Sequence, residues 1–353
     1  MTKRASIAVA GAGLIGKRHI EAIEAARNAD LAAIVDPAAP ARVLAGQLGL
    51  AWYPDLEALF SAARPDGIIL ATPNQLHVAN ALECIGAGVP ALVEKPLAAD
   101  LAGAQRLADA SETANVPLLV GHHRRHNPLI AAAKQKLSEK ALGSIVTVHG
   151  MFWLMKPDDY FDVEWRRQAG AGPVLLNLIH DIDLLRHLVG EVVSVQAQAS
   201  GFVRGYPVEE SCAILLKFDN GALGTVSVTD TAVAPWSWEL TAAENPAYPV
   251  TGQSCYYIGG THGSLELPNM KLWYHPDKRS WWEPIAACRF PQAQGDPLVR
   301  QIEHFVGVLQ GREAPLVSAR EGLRSMEVID AIQRSVQSGE IVTLSGNELM
   351  AAP

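Results

Sequence analysis

A chain of 353 residues, 49% hydrophobic and 19% charged, is long enough for about two domains and too apolar to stay disordered. Its formal charge of −8 argues against nucleic acid or an anionic membrane as the main partner. Its four cysteines, Cys84, Cys212, Cys255 and Cys288, are scattered with no Cys-x-x-Cys, so neither a zinc site nor a disulfide framework is expected, and a reducing cytoplasm is. The basic start followed by apolar residues is too short for a signal peptide and breaks at Gly11 and Gly13, and no run approaches the ~18 apolar residues of a membrane span.

Residues 7–10 (Ile-Ala-Val-Ala) read as a buried parallel strand. Gly11, Gly13 and Gly16, with Leu14 and Ile15 between them, form a Gly-x-Gly-x-x-Gly turn that opens a helix over 17–26. A second buried strand over 31–35 ends at Asp36, twenty residues after Gly16. Strand, glycine turn, helix and acid in this order are the fingerprint of a dinucleotide site. Gly11 makes the turn, Gly13 admits the pyrophosphate, Gly16 lets helix and strand pack, and the helix N-terminus offers free N–H groups. Asp36 accepts from the ribose hydroxyls and repels a 2′-phosphate. With Pro37 and Ala38 following it and no arginine, NAD is expected ahead of NADP.

The alternation continues with a helix over 56–62 and a strand over 67–71. Thr72, Pro73 and Asn74 then turn into a helix over 75–86 and lie where a strand end lines a cofactor cleft, with His77 in the first helical turn. A strand over 91–93 runs into Glu94, Lys95 and Pro96, a helix spans 98–114, and a strand over 118–121 precedes His122, His123, Arg124, Arg125, His126, Asn127 and Pro128. Repeated βα units predict a doubly wound parallel sheet for residues 1–122. A lysine at a strand's carboxyl end stands where open α/β sheets place their chemistry. The three histidines of the 122–126 turn should diverge, and no metal site is expected there.

The remaining residues, 123–353, read as an α+β domain. Strands are expected over 144–150, 192–200, 211–218, 222–229, 256–258, 264–267 and 271–274, largely antiparallel because no helices intervene between most of them. Asp219, Asn220 and Gly221 close a hairpin. A helix is predicted over 173–189, with Asn177, His180 and Asp181 as a polar stripe, and amphipathic helices over 296–309 and 319–337. Trp236, Trp238, Trp281 and Trp282 look exposed, and residues 347–353 look frayed.

With the glycine turn, Thr72-Pro73-Asn74, Glu94-Lys95-Pro96, Arg125-His126-Asn127-Pro128, Trp165-Arg166, Gly170 to Pro173 and His180-Asp181-Ile182-Asp183 in this order, the chain resembles the glucose–fructose oxidoreductase/inositol dehydrogenase (Gfo/Idh/MocA) family. The resemblance covers most of the chain. It implies an N-terminal Rossmann domain and a C-terminal domain with an open, mainly antiparallel sheet. A C-terminal helix packs back on the first domain, and the chains form homodimers or homotetramers through the open sheet. The implied substrate is a sugar, inositol or similar cyclic polyol, and the implied site takes in Glu94 on the cofactor side and Trp165 on the substrate side. The family's Asp-x-x-x-His places Leu176 where the aspartate is expected. Asn177, three residues before His180, is then the expected partner on the same helical face.

Hydride exchange at a carbinol needs a dinucleotide, a base and charge beside the oxygen. His180 is the expected base and Lys95 the expected donor to the developing alkoxide, with the two roles open to exchange. Asn177 orients a neighbouring hydroxyl, and His123 and Arg125 are further candidates to face substrate. Arg124, Arg125, Arg166 and Arg167 either recognise a carboxylate or pair with nearby acids. A dehydrogenase of a carboxylated ring diol and a non-catalytic NAD(H) sensor are the alternatives.

Overall fold

The computed structural model describes residues 4–291 and 293–344, so the tail over 347–353 and the first three residues lie outside the described residues. The chain divides into two compact units, Met1–Asn127 with Gly295–Met326, and Pro128–Gln294 with Glu327–Pro353. The first break, after Asn127, falls near the boundary expected at 122, and a segment near the C-terminus belongs with the first unit.

The first unit holds β1 (Ala5–Ala10), β2 (Ala29–Val35), β3 (Ala51–Tyr53), β4 (Gly67–Leu70), β5 (Ala91–Val93) and β6 (Leu118–Val120). They form one sheet in the order β3-β2-β1-β4-β5-β6, and every pairing is parallel. Every residue of β4 and β5 is buried, which is why these strands read as unbroken apolar runs. Helix Leu56–Ala62 is capped by Asp55, which accepts from the Ala58 N–H at 2.8 Å. The helix expected from residue 98 starts at Leu101, because Asp100 caps it by accepting from the Gly103 N–H. Helix Pro297–Leu309 contributes Ile302, Phe305 and Val306 to the same buried cluster as Ile7, Val9 and Ile69. That shared core places the segment in this unit.

The second unit is a nine-stranded sheet of β7 (Ile145–Trp153), β8 (Val192–Ser200), β9 (Ser211–Phe218), β10 (Leu223–Thr229), β11 (Tyr256–Gly260), β12 (Gly263–Leu267), β13 (Lys271–Tyr274), β14 (Ala286–Arg289) and β15 (Val342–Thr343). The order is β14-β13-β12-β11-β7-β10-β9-β8-β15, with β7–β10 the one parallel pairing and the rest antiparallel. Alternation splits the two faces: Val148, Phe152, Ile214, Leu216, Val226 and Val228 are buried, while His149, Leu215 and Thr225 on the opposite face are exposed. Trp238 does not fit the exposed reading. It is 1% exposed and stacks on Tyr256 at 5.6 Å, as core aromatics do. Trp236 packs edge-on against Trp153, whereas Trp281 and Trp282 are exposed and touch each other.

Candidate active site

The glycine turn is built as the sequence requires. Gly11 has φ +90°, and a Cβ there would fall 2.4 Å from the Ala71 carbonyl oxygen. A Cβ on Gly16 would fall 1.9 Å from the Gly11 carbonyl oxygen, so helix and turn close only with glycine at both places. Gly13 is different: a Cβ there meets nothing within 4 Å. It is the N-cap of helix Leu14–Ala25 and offers no side chain to the first-turn N–H groups. Leu14 beside it is 91% exposed, and Ile15 is half-buried. An open approach, unclaimed helix amides and an uncovered leucine fit a dinucleotide pyrophosphate.

Asp36 stands at the end of β2. Its Oδ2 accepts from the Ala12 N–H and its Oδ1 from the Ala38 N–H, both at 2.8 Å, so turn and carboxylate are fixed to each other. Each oxygen keeps a lone pair for a further donor. Trp52 donates to the Asp36 carbonyl at 2.9 Å and carries the Arg42 guanidinium over its ring.

At the next strand end Thr72 donates to the Asn80 side chain, Pro73 is exposed and Asn74 half-buried. His77, an expected cofactor contact, opens helix His77–Gly86. It is fully buried, with Nδ1 2.8 Å from the Pro96 carbonyl and Nε2 2.9 Å from that of Thr72, so it ties the loop after β4 to the loop after β5. Burial pushes its pKa down against those two hydrogen bonds and the charge of Glu94.

Glu94, another expected cofactor contact, has a close partner within the protein. Its side chain is 8% exposed, and Oε1 lies 2.6 Å from Nε2 of the buried His19, 75 residues earlier on the first helix. Burial alone raises a carboxyl pKa, but the His19 hydrogen bond and the charges of His19, Lys95 and His123 outweigh it and hold Glu94 down at about 2. A folded-state pKa below the ordinary 4.5 stabilises the fold above that value, and the stability is lost as pH falls from 4.5 through about 2. The contribution is about 3 kcal/mol at about 1.4 kcal/mol per pH unit. Glu94→Gln is therefore expected to flatten the loss of urea stability between pH 5 and pH 3, and an unchanged slope would refute the assignment. His19 went unnoticed in the sequence because a lone histidine on an amphipathic helix carries no motif.

Lys95, half-buried, follows Glu94 at the carboxyl end of β5. His123 is half-buried just after β6. Arg125, the other candidate from that turn, is 5% exposed and pairs with Glu321 at 3.1 Å, so its charge is answered within the protein. Arg124 is buried, and Arg166 lies over the Tyr160 ring and donates to the Tyr160 carbonyl.

In the second unit the helix expected over 173–189 is broken. Pro173–Leu176 and Leu178–Val189 are separate, and Asn177 between them has φ −114° and ψ −56°. Asn177 caps the second helix, where its carbonyl accepts from the His180 N–H at 3.1 Å. Asn177 Oδ1 is buried and meets no donor among the described residues. His180 is 7% exposed. Asp181, expected in a polar stripe, is 1% exposed and accepts from the Tyr256 hydroxyl, so it belongs to the core. Gly172 opens this segment because Glu209 fills the space its Cβ would occupy, 2.0 Å away, while accepting from the Val174 N–H. Trp165 is 51% exposed. No group of three or more His, Cys, Asp or Glu able to hold a metal ion occurs among the described residues, and no described helix is long and apolar enough to cross a membrane.

A six-stranded parallel sheet in this order, with a glycine turn on a helix N-terminus and an acid at the end of β2, defines a dinucleotide-binding Rossmann domain. Residues 5–122 match the oxidoreductase family's NAD-binding Rossmann fold, and residues 134–344 match its C-terminal alpha/beta domain. The chain belongs to the Gfo/Idh/MocA oxidoreductase family. It is 24% identical to the rhizopine catabolism protein MocA of Rhizobium meliloti over 93% of this chain and 94% of the relative. It is 29% identical to inositol 2-dehydrogenase 2 of Saccharopolyspora erythraea over 95% and 94%. The fold agrees with the WlbA dehydrogenase of Bordetella pertussis, solved with NADH and UDP-GlcNAcA, at a TM-score of 0.77 and 24% identity over 97% of this chain and 99% of that one.

Proposed function

We propose that this oxidoreductase exchanges hydride between NAD and a carbinol of a sugar, inositol or similar cyclic polyol. The observation that carries the reading is Lys95, placed at the carboxyl end of β5 in the NAD-binding sheet and backed by the buried Glu94 carboxylate. NAD supplies the hydride acceptor when bound. Gly11, Gly13, Gly16, Leu14 and Ile15 hold its pyrophosphate, and Thr72, Pro73 and Asn74 line its cleft. Asp36, with both oxygens already fixed by backbone N–H groups, cannot turn away from a 2′-phosphate, which favours NAD over NADP. Lys95 donates to the oxygen that becomes an alkoxide, and His180 takes the hydroxyl proton. Asn177 offers its Oδ1 to a neighbouring hydroxyl. His123 and Trp165 complete the substrate contacts. The exposed face of the second sheet supports a homodimer or homotetramer, and four free thiols support a cytoplasmic setting.

The test is a panel of cyclic polyols, aldoses and sugar acids, each incubated with the purified protein and NAD while reduced nicotinamide absorbance is followed. Turnover on a ring polyol or sugar is expected. Saturable NAD binding with no turnover across the panel would overturn the reading in favour of a sensor.

A further inference from the structure

The strongest unassigned feature is the buried carboxylate behind Lys95. Glu94 Oε1 is 2.6 Å from His19 Nε2, and their side chains are 8% and 0% exposed. Glu94 Oε2 accepts from the Lys95 backbone N–H at 3.1 Å. Gly121, just after β6, leaves the space that this carboxylate fills: a Cβ there would lie 3.0 Å from both of its oxygens. The titratable groups around it are His19 on the first helix, His77 between the Thr72 and Pro96 carbonyls, Lys95, and His123 after β6.

We propose that Glu94 is a positioning residue that holds Lys95 in its ammonium form, and that His19 in turn holds Glu94 in its anionic form. The inference rests on the reading of Lys95 as the alkoxide-stabilising group. A charge interaction is reciprocal: if Lys95 favours the ionised carboxyl, the ionised carboxyl favours the protonated amine. Burial strengthens the interaction by removing the water that would screen it. The arrangement decides which group acts as base. A lysine kept protonated donates to the alkoxide and retains its three protons, and the hydroxyl proton goes to His180. It also joins the dinucleotide helix to the catalytic lysine, since His19 lies one turn beyond Gly16.

The test needs no substrate. The intact protein is labelled with trace acetic anhydride between pH 7 and 11, and acetylation of Lys95 is measured by mass spectrometry against the exposed Lys140. Glu94→Gln is expected to lower the midpoint of the Lys95 labelling curve by about one pH unit or more while leaving its alkaline plateau unchanged. His19→Leu is expected to lower it in the same direction and serves if Glu94→Gln does not fold. His19→Gln, which keeps an N–H donor, is expected to return the midpoint towards wild type. An unmoved midpoint in the folded variants, or a change confined to the plateau, would overturn the proposal, since loss of packing alters access and not titration. A protein that turns over no polyol but gives the expected midpoints refutes the proposed reaction and leaves this electrostatic pairing standing.

Discussion

Lys95→Ala is expected to lower turnover by about 10²–10³-fold on whichever carbinol the protein accepts, while NAD affinity changes by less than about threefold. The asymmetry follows from where the residue sits. In the proposed site the pyrophosphate and ribose contacts come from the glycine turn and Asp36, whose mutual hydrogen bond does not involve the lysine side chain. Charge develops on the substrate oxygen only as hydride leaves, so a donor aimed at that oxygen contributes in the transition state more than in the ground state. The check is steady-state kinetics beside a fluorescence titration with NAD. Turnover that survives undiminished, or a loss of NAD binding as large as the loss of rate, would remove Lys95 from the chemistry.

The second large effect separates two glycines of one motif. Gly16→Ala places a methyl group 1.9 Å from the Gly11 carbonyl oxygen, which is backbone and cannot rotate aside. The variant is expected to lose about 3 kcal/mol and to melt about 5–10 °C lower. Gly13→Ala meets no protein atom within 4 Å, so its melting temperature should match wild type. Its methyl group enters the space through which the pyrophosphate approaches, and NAD binding is expected to weaken about tenfold, or about 1.4 kcal/mol. Thermal melts and NAD titrations on both variants give the crossed pattern. Equal destabilisation by the two substitutions would contradict this division of roles.

The elements that were legible in the sequence are those whose environment is uniform along their length. The strands β1, β2, β4, β5 and β6 are mostly buried on both faces and read as apolar runs, and the β9–β10 hairpin alternates cleanly about its Asp-Asn-Gly turn. The short β3, with none of its three residues buried, and the two-residue β15 carry too few residues to show a period. The break at Asn177 was hidden because leucines on both sides continue a helical pattern through it. In the site, the glycine turn and the acid at the end of β2 were readable from spacing alone. The roles of Glu94, His77, Arg125 and Asp181 were not, because each is settled by a partner far away in sequence or by a backbone carbonyl that has no letter of its own.

The first unit closes its core with residues made late. Ile302, Phe305 and Val306 pack with Ile7, Val9 and Ile69, more than two hundred positions earlier. During synthesis the first sheet must therefore wait, with part of one apolar side uncovered, until almost the whole second unit has left the ribosome. A premature stop anywhere before residue 295 would leave every residue of the cofactor fingerprint in place and still deny the dinucleotide domain a wall of its core.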